Sequence, residues 1–183
     1  SCRYCGFCGA LTQVIESGHA RQCTNGHCEK LHFPRKDPVV IALVEHTDDK
    51  GVKRCLLAGH KHLPPQVIST LAGFVEHGES VEQAVMREVF EETQVHVTDV
   101  RYLNSQPWPF PSSLMLGFIA KASNDDIVID ENELSSAAWF TKHEVRQMND
   151  WQGSMEEADQ GWLIPRKESI ARYLIEYWLN SED

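Results

Sequence analysis

Residues 73–95 read GFVEHGESVEQAVMREVFEETQV, and the rest of the chain is interpreted outward from them. Ser80, followed three residues later by Gln83, is a capping-box pair and predicts a helix starting just after Ser80. At about 100° per residue, Val81, Val85, Met86, Val89 and Phe90 fall on one broad apolar side. Glu88, Glu91 and Glu92 gather on an adjoining arc, with only small Ala84 among them. Carboxylates crowded into one turn repel each other and stabilise nothing by themselves. Two readings follow. The arc is a solvated acidic face, or it holds a hard divalent cation such as Mg²⁺, whose preference for oxygen ligands turns repulsion into attraction.

The 183 residues suffice for one full core and a small appendage. No run of about 20 apolar residues is present, so no membrane span is expected. The formal net charge is −10, from 17 basic against 27 acidic residues. That argues against holding nucleic acid mainly by phosphate neutralisation. It leaves a small phosphorylated substrate open, because bound cations reverse the local field. The clusters Arg35-Lys36, Lys53-Arg54 and His60-Lys61-His62 are read chiefly as solvated surface. Residues 1–9 are neither a signal nor a transit peptide and begin almost on a motif. We therefore expect chain to precede them, along with any localisation signal, and otherwise expect a cytoplasmic setting.

Five of the six cysteines lie in the first 28 residues. Cys5-Gly6-Phe7-Cys8-Gly9 reads as a zinc knuckle, two thiolates on a tight turn, and Cys23 with Cys28 supplies a second pair. Four thiolates at these spacings suit one tetrahedral structural zinc; the rival is a disulfide or free thiols. Cys2 competes with Cys5 or Cys8 as ligand, although Gly9 favours the Cys5 and Cys8 pair. His19 and His27 are read as surface, and Cys55 as a packed thiol.

Further along, 39–45 reads as a buried strand, 47–51 as a turn and 53–58 as the hairpin partner. Strands are expected over 67–75, 96–103, 114–120, 126–129 and 137–140, with a short helix over 143–148. Residues 105–115, with prolines at 107, 109 and 111, read as a stiff loop. Residues 150–162 read as an exposed loop. Residues 167–179 form an amphipathic helix presenting Ile170, Tyr173, Leu174, Tyr177 and Trp178. Mixed strands with few helices imply an α+β fold layered as an α/β/α sandwich. The expected division is a zinc-ribbon element over 1–35 and the main domain over 36–183.

The spacing Gly73, five residues, Glu79, seven residues, Arg87-Glu88-Val89, one residue, Glu91-Glu92, and then Val95 resembles the Nudix box. Gln94 stands where that family usually has Gly, which puts the end of the helix in question and leaves every carboxylate in place. The stretch Ser105-Gln106-Pro107-Trp108-Pro109-Phe110-Pro111 is similar to the signature of the NADH pyrophosphatase subfamily, which also carries a four-cysteine zinc element before its Nudix domain. The resemblance implies the Nudix fold and the following roles. Glu88, Glu91, Glu92 and the distant Glu133 are metal carboxylates for Mg²⁺ or Mn²⁺, two or more ions, assisted by a backbone carbonyl at Ala72 or Gly73. Arg87 and Glu79 orient them. Phe33 and Phe74 flank the nicotinamide. Gln106, Pro107, Trp108, Pro109, Phe110, Pro111, Ser112, Ser113 and Ala171 contact the substrate. A homodimer is implied in the same way.

The implied activity is hydrolysis of the pyrophosphate of NADH or NAD⁺ to nicotinamide mononucleotide and AMP, with NAD-capped RNA 5′ ends as a related substrate. Glu91 and Glu133 both stand as candidates for the base. The rivals are a Nudix hydrolase for ADP-ribose or oxidised nucleotides, and a non-catalytic zinc-ribbon module that binds nucleic acid.

Overall fold

The computed structural model describes residues 2–153 and 161–182. They fall into two compact units, Ser1–Lys36 and Asp37–Asp183. In the first, β1 (Thr12–Ile15), β2 (Ala20–Cys23) and β3 (Leu31–His32) form a three-stranded antiparallel sheet. So short a segment cannot build an apolar core of useful size, and Tyr4, Phe7, Leu11 and Phe33 all remain exposed. Its centre is the thiol cluster of Cys5, Cys8, Cys23 and Cys28, whose Sγ atoms lie within 4.8 Å of one another. Cys5 and Cys28 are 3.8 Å apart, and Cys8 and Cys23 are 3.4 Å apart.

Sulfurs placed about 2.3 Å from a tetrahedral zinc ion are about 3.8 Å from each other, so this cluster fits the ion. Burial works to raise the Cys5 thiol, but backbone hydrogen bonds from Phe7 and Cys8 and the His32 ring outweigh it and bring it down to about 6. His32 Nε2 lies 3.3 Å from Cys5 Sγ, a neighbour that spacing arguments miss. Cys2 stands outside the cluster; its carbonyl accepts from Thr12 Oγ1 and Arg21 Nε.

The second unit is organised on β4 (Asp37–Thr47), whose side chains alternate between two faces. One edge of β4 runs parallel to β9 (Ser113–Ala122). Its other edge is shared end to end, with β7 (Leu71–Phe74) beside residues 39–42 and β5 (Lys53–His60) beside residues 44–47. The expected strand over 67–75 is thus two: β6 (Ile68–Ser69) pairs with β5, the chain breaks at Thr70, and β7 pairs with β4. β8 (Val97–Trp108) and β10 (Leu134–Thr141) close the order β10-β5-β4-β9-β8.

Val40, Ala42 and Val44 pack with Ala84, Val85 and Val89 of α1 (Val81–Thr93) on one face. On the other, Ile41, Leu43 and Leu57 meet Leu174, Ile175 and Trp178 of α3 (Ile170–Leu179), joined by Val145 of α2 (Lys142–Arg146). Leu174, Ile175 and Trp178 are essentially inaccessible, each contributing on the order of 2 kcal/mol by burial. The result is the expected helix–sheet–helix sandwich.

Three expectations are corrected. Residues 126–129 pair with no strand; the Val128 and Asp130 N–H groups donate to Thr93 and Glu92 carbonyls at 3.0 and 2.9 Å, serving the free end of α1. Ile127 and Ile129 meanwhile pack on the α1 side of the core, which explains their alternation. Residues 105–115 are a hairpin and not a loop, because β8 continues through Pro107 to Trp108, and only 109–112 turn. An edge strand tolerates the missing N–H of proline. Of the expected loop over 150–162, Asp150 belongs to β11 (Asn149–Asp150), which pairs in parallel with β12 (Leu163–Ile164); residues 154–160 lie outside the described residues.

Gln94 takes the left-handed conformation at the end of α1, with φ 58°, and both its N–H and its side-chain amide donate to the Phe90 carbonyl. The helix thus ends as a Gly would end it, at the steric cost of a Cβ. Among the described residues no helix is long and apolar enough to cross a membrane.

Native mass spectrometry is expected to find one zinc ion per chain, and Cys23→Ser to lose it on dialysis with rapid proteolysis of residues 2–36. Tight zinc retention by that variant would contradict a four-thiolate site.

Candidate active site

The capping box sets the phase of α1. Ser80 Oγ accepts from Gln83 N at 3.2 Å, and Gln83 Oε1 accepts from Ser80 N at 2.8 Å. From that start, Arg87, Glu88 and Glu92 come round to face β7 and the loop that follows it. Arg87 is the hub. Its Nε and Nη2 donate to the two oxygens of Glu79 at 3.0 and 2.6 Å, a bidentate fork. Nη2 also reaches the Phe74 carbonyl at 2.9 Å, while Nη1 donates to Glu88 at 2.9 Å and Glu91 at 3.1 Å. Glu79 is held from behind by the Glu76 N–H at 2.7 Å. Arg87, and after it the Glu76 N–H, lower the Glu79 pKa, and Glu79 in turn raises that of Arg87.

Gly73 explains itself once Glu88 is in place. A Cβ at position 73 would overlap the Glu88 carboxyl group. The glycine that opens the motif therefore provides clearance rather than backbone freedom.

Glu92 is the most buried acid of the group, 3 % exposed. Burial raises its pKa to about 8, the charges of Glu88 and Glu133 add to this, and a backbone hydrogen bond from Ala72 opposes them. Its Oε2 has no hydrogen-bond partner, an arrangement that costs about 1–3 kcal/mol unless something compensates. Glu88 is raised as well, first by burial, with Arg87 opposing and Glu91 and Glu133 adding. Glu91 is outermost, its side chain 58 % exposed.

Glu133 arrives from the turn before β10. Its N–H donates to the Asp130 carbonyl, its own carbonyl accepts from Lys61 N at 3.0 Å, and its charge is felt at both Glu88 and Glu92. Asp130 also acts on Glu92 and was not singled out from sequence. The acid-rich run at 130–133 announces itself; within it Asp130 is half-buried and Glu133 is exposed. Hard oxygen donors and an unpartnered buried carboxylate oxygen suit a divalent cation.

The fold thus gathers Glu79, Arg87, Glu88, Glu92, Glu91, Glu133, Ala72 and Phe74 into one region. The remaining candidates are distributed over the two units. Phe33 is exposed on the N-terminal unit. Ala171 is buried in the core between α3 and the sheet. Pro107 is within β8, Pro109 and Pro111 lie in the turn, and Ser113 opens β9 opposite Trp108. Trp108 and Phe110 are exposed at the hairpin tip. Gln106 and Ser112 spend their side chains on the protein itself.

In the absence of divalent ions, Glu92 titrates at about 8 against 4.5 for an ordinary Glu. The folded chain then keeps a proton that the unfolded chain releases, so this group favours folding at low pH and loses that stability as pH rises through about 8. The Tm of Glu92→Gln is therefore expected to exceed that of the wild type by a margin that grows between about pH 5 and about pH 8 in magnesium-free buffer. A margin independent of pH would contradict the burial account.

The NUDIX domain family matches residues 35–159. The chain is 41% identical over 183 residues to human NAD-capped RNA hydrolase NUDT12, an alignment covering 97% of this chain and 38% of that protein. To NAD-capped RNA hydrolase NudC of Mycobacterium bovis it is 44% identical over 185 residues, covering 98% of this chain and 56% of the relative. The chain therefore spans between about two fifths and just over half of these relatives' length. Among solved structures, a NUDIX hydrolase from Nitrosomonas europaea superposes with TM-score 0.61 at 19% identity, over 90% of this chain and 98% of that one. That likeness is one of fold. With the box residues gathered around β7 and α1, and the family matched over most of its length, the chain belongs to the NUDIX family.

Proposed function

We propose that this chain hydrolyses the pyrophosphate bond of NADH or NAD⁺ to nicotinamide mononucleotide and AMP, and cleaves the same bond in NAD-capped RNA, releasing nicotinamide mononucleotide and leaving a 5′-monophosphate on the RNA. The observation that carries the reading is Glu92: a buried carboxylate with an unpartnered oxygen, beside Glu88 and in the field of Glu133. A bound cation would take the place of the proton that burial otherwise keeps on Glu92. The dinucleotide is supported by the names of the relatives, both NAD-capped RNA hydrolases.

Glu88, Glu91, Glu92 and Glu133, with the backbone at Ala72, would hold two or more Mg²⁺ or Mn²⁺ ions. Such ions, when bound, neutralise charge on the phosphate oxygens and lower the pKa of an attacking water. The chain's own part is positioning. Arg87 and Glu79 fix the carboxylates, and Glu91 or Glu133, the two more exposed acids, takes the proton from the attacking water. Phe74, exposed beside the loop that Arg87 grips, stacks on the nicotinamide. The cysteine unit holds structural zinc, the division falls near residue 35, and the active form is a homodimer.

The test is a competition in one tube among NADH, NAD⁺, ADP-ribose and NAD-capped RNA with Mg²⁺ or Mn²⁺, with products separated by chromatography. Early nicotinamide mononucleotide and AMP are expected. Consumption of ADP-ribose first would leave only the family assignment standing, and binding without turnover by folded protein would favour a nucleic-acid-binding module.

A further inference from the structure

The four thiols gathered in the N-terminal unit stand in unequal surroundings. Cys5 and Cys23 are buried, each 3 % exposed, and Cys28 is half-buried. Cys8 alone of the four is exposed. One tetrahedral ion would make all four thiolates, so the difference between them lies in access and in the hydrogen bonds each accepts.

Cover is added on the Cys5 side. A zinc-bound thiolate carries no proton, so the His32 ring nitrogen 3.3 Å from Cys5 Sγ is the donor. The Phe7 ring lies beside His32, with centroids 6.3 Å apart, and Lys30 Nζ stands 5.0 Å from the centre of the Phe7 ring. Asn25 N donates to Cys23 Sγ at 3.4 Å, and the Lys30 N–H donates to Cys28. A donated N–H draws charge from a thiolate and makes it a poorer nucleophile. At Cys8 no side chain outside the thiol cluster makes a hydrogen bond among the described residues. Its near neighbour is the Cys23 sulfur at 3.4 Å, against 3.8 Å between Cys5 and Cys28.

We propose that Cys8 is the point at which hydroperoxides and other electrophiles attack the zinc-loaded cluster, and that Cys23 is the thiol that resolves the oxidised sulfur. The inference rests on the reading of the cysteine unit as a structural zinc site. With hydrogen peroxide, the Cys8 thiolate attacks one peroxide oxygen. The S–O bond forms, the O–O bond breaks and the second oxygen leaves as hydroxide; sulfur gives up two electrons and the peroxide takes them. The Cys23 thiolate then attacks the Cys8 sulfur. The S–S bond forms, the S–O bond breaks and a second hydroxide departs. Two thiolates remain, too few for a closed structural site, and the zinc is released.

The consequence is structural and reversible. This unit has almost no apolar core, with Tyr4, Phe7, Leu11 and Phe33 exposed, so its order depends on the ion. A resolving thiol at 3.4 Å intercepts the sulfenic acid before further oxidation, and a disulfide, unlike a sulfinic acid, is returned to two thiols by a thiol reductant. Oxidation at Cys8 therefore loosens residues 2–36, and reduction with zinc restores them.

The test uses the zinc-loaded chain with Cys2→Ser, which removes the thiol beside the cluster. Under substoichiometric N-ethylmaleimide and peptide mass mapping, Cys8 is expected to be labelled about tenfold faster than Cys5, Cys23 or Cys28. Under hydrogen peroxide, zinc release read with a chromogenic chelator is expected to keep pace with a Cys8–Cys23 disulfide. Dithiothreitol with zinc should then restore the resistance of residues 2–36 to protease. Cys8→His keeps four ligands as a Cys₃His site, and is expected to hold its zinc through a peroxide dose that empties the wild type. Labelling first at Cys5, Cys23 or Cys28, a first disulfide that omits Cys8, or a zinc-loaded Cys8→His that empties as fast as wild type would overturn the proposal. Failure of the zinc reading shows separately: a chain without zinc in native mass spectrometry would overturn that reading and this inference together.

Discussion

The fork between Arg87 and Glu79 is the contact on which the cluster of carboxylates depends. Without it, three acids on one turn of α1 and a fourth from the turn before β10 would repel one another. With it, Glu88 and Glu91 are tethered, and the Phe74 carbonyl at the end of β7 is tied to the same guanidinium. Glu79, whose side chain is 15% exposed, makes this a partly shielded ion pair. A bidentate bond in that setting resists solvent and salt better than a surface pair does.

The sheet then determines what the fork can organise. β4 divides one edge between β7 and β5, so the chain can leave the sheet at Phe74, close through the Glu79 loop and return as α1 over the same strand. That path lays the Glu88 carboxyl on Gly73 and buries Glu92 against Ala72. A cation bound there would replace the retained proton and recover the stability lost in burying Glu92.

Much of this was legible in the sequence because its causes are local. The Ser80 and Gln83 pair gave the start of α1, apolar periodicity gave both helix faces, and cysteine spacing gave the thiol cluster. What stayed hidden has partners far away in the chain. The break at Thr70 follows from a choice between β5 and β4 as neighbours. Residues 126–130 alternate like a strand but give their N–H groups to the end of α1. Gln106 bonds to Ile170 and Glu168, far along the chain at the start of α3. No periodicity in residues 105–113 indicates those partners.

The most direct measurement is a double-mutant cycle on Mn²⁺ affinity with Glu79→Gln, Arg87→Lys and the pair combined, read by calorimetry on folded protein. If the fork is what organises the carboxylates, each single variant weakens binding and the double is no weaker than the worse single, a coupling of about 1–3 kcal/mol. Losses that simply add would mean the two residues act apart, and the fork would not be the organising contact.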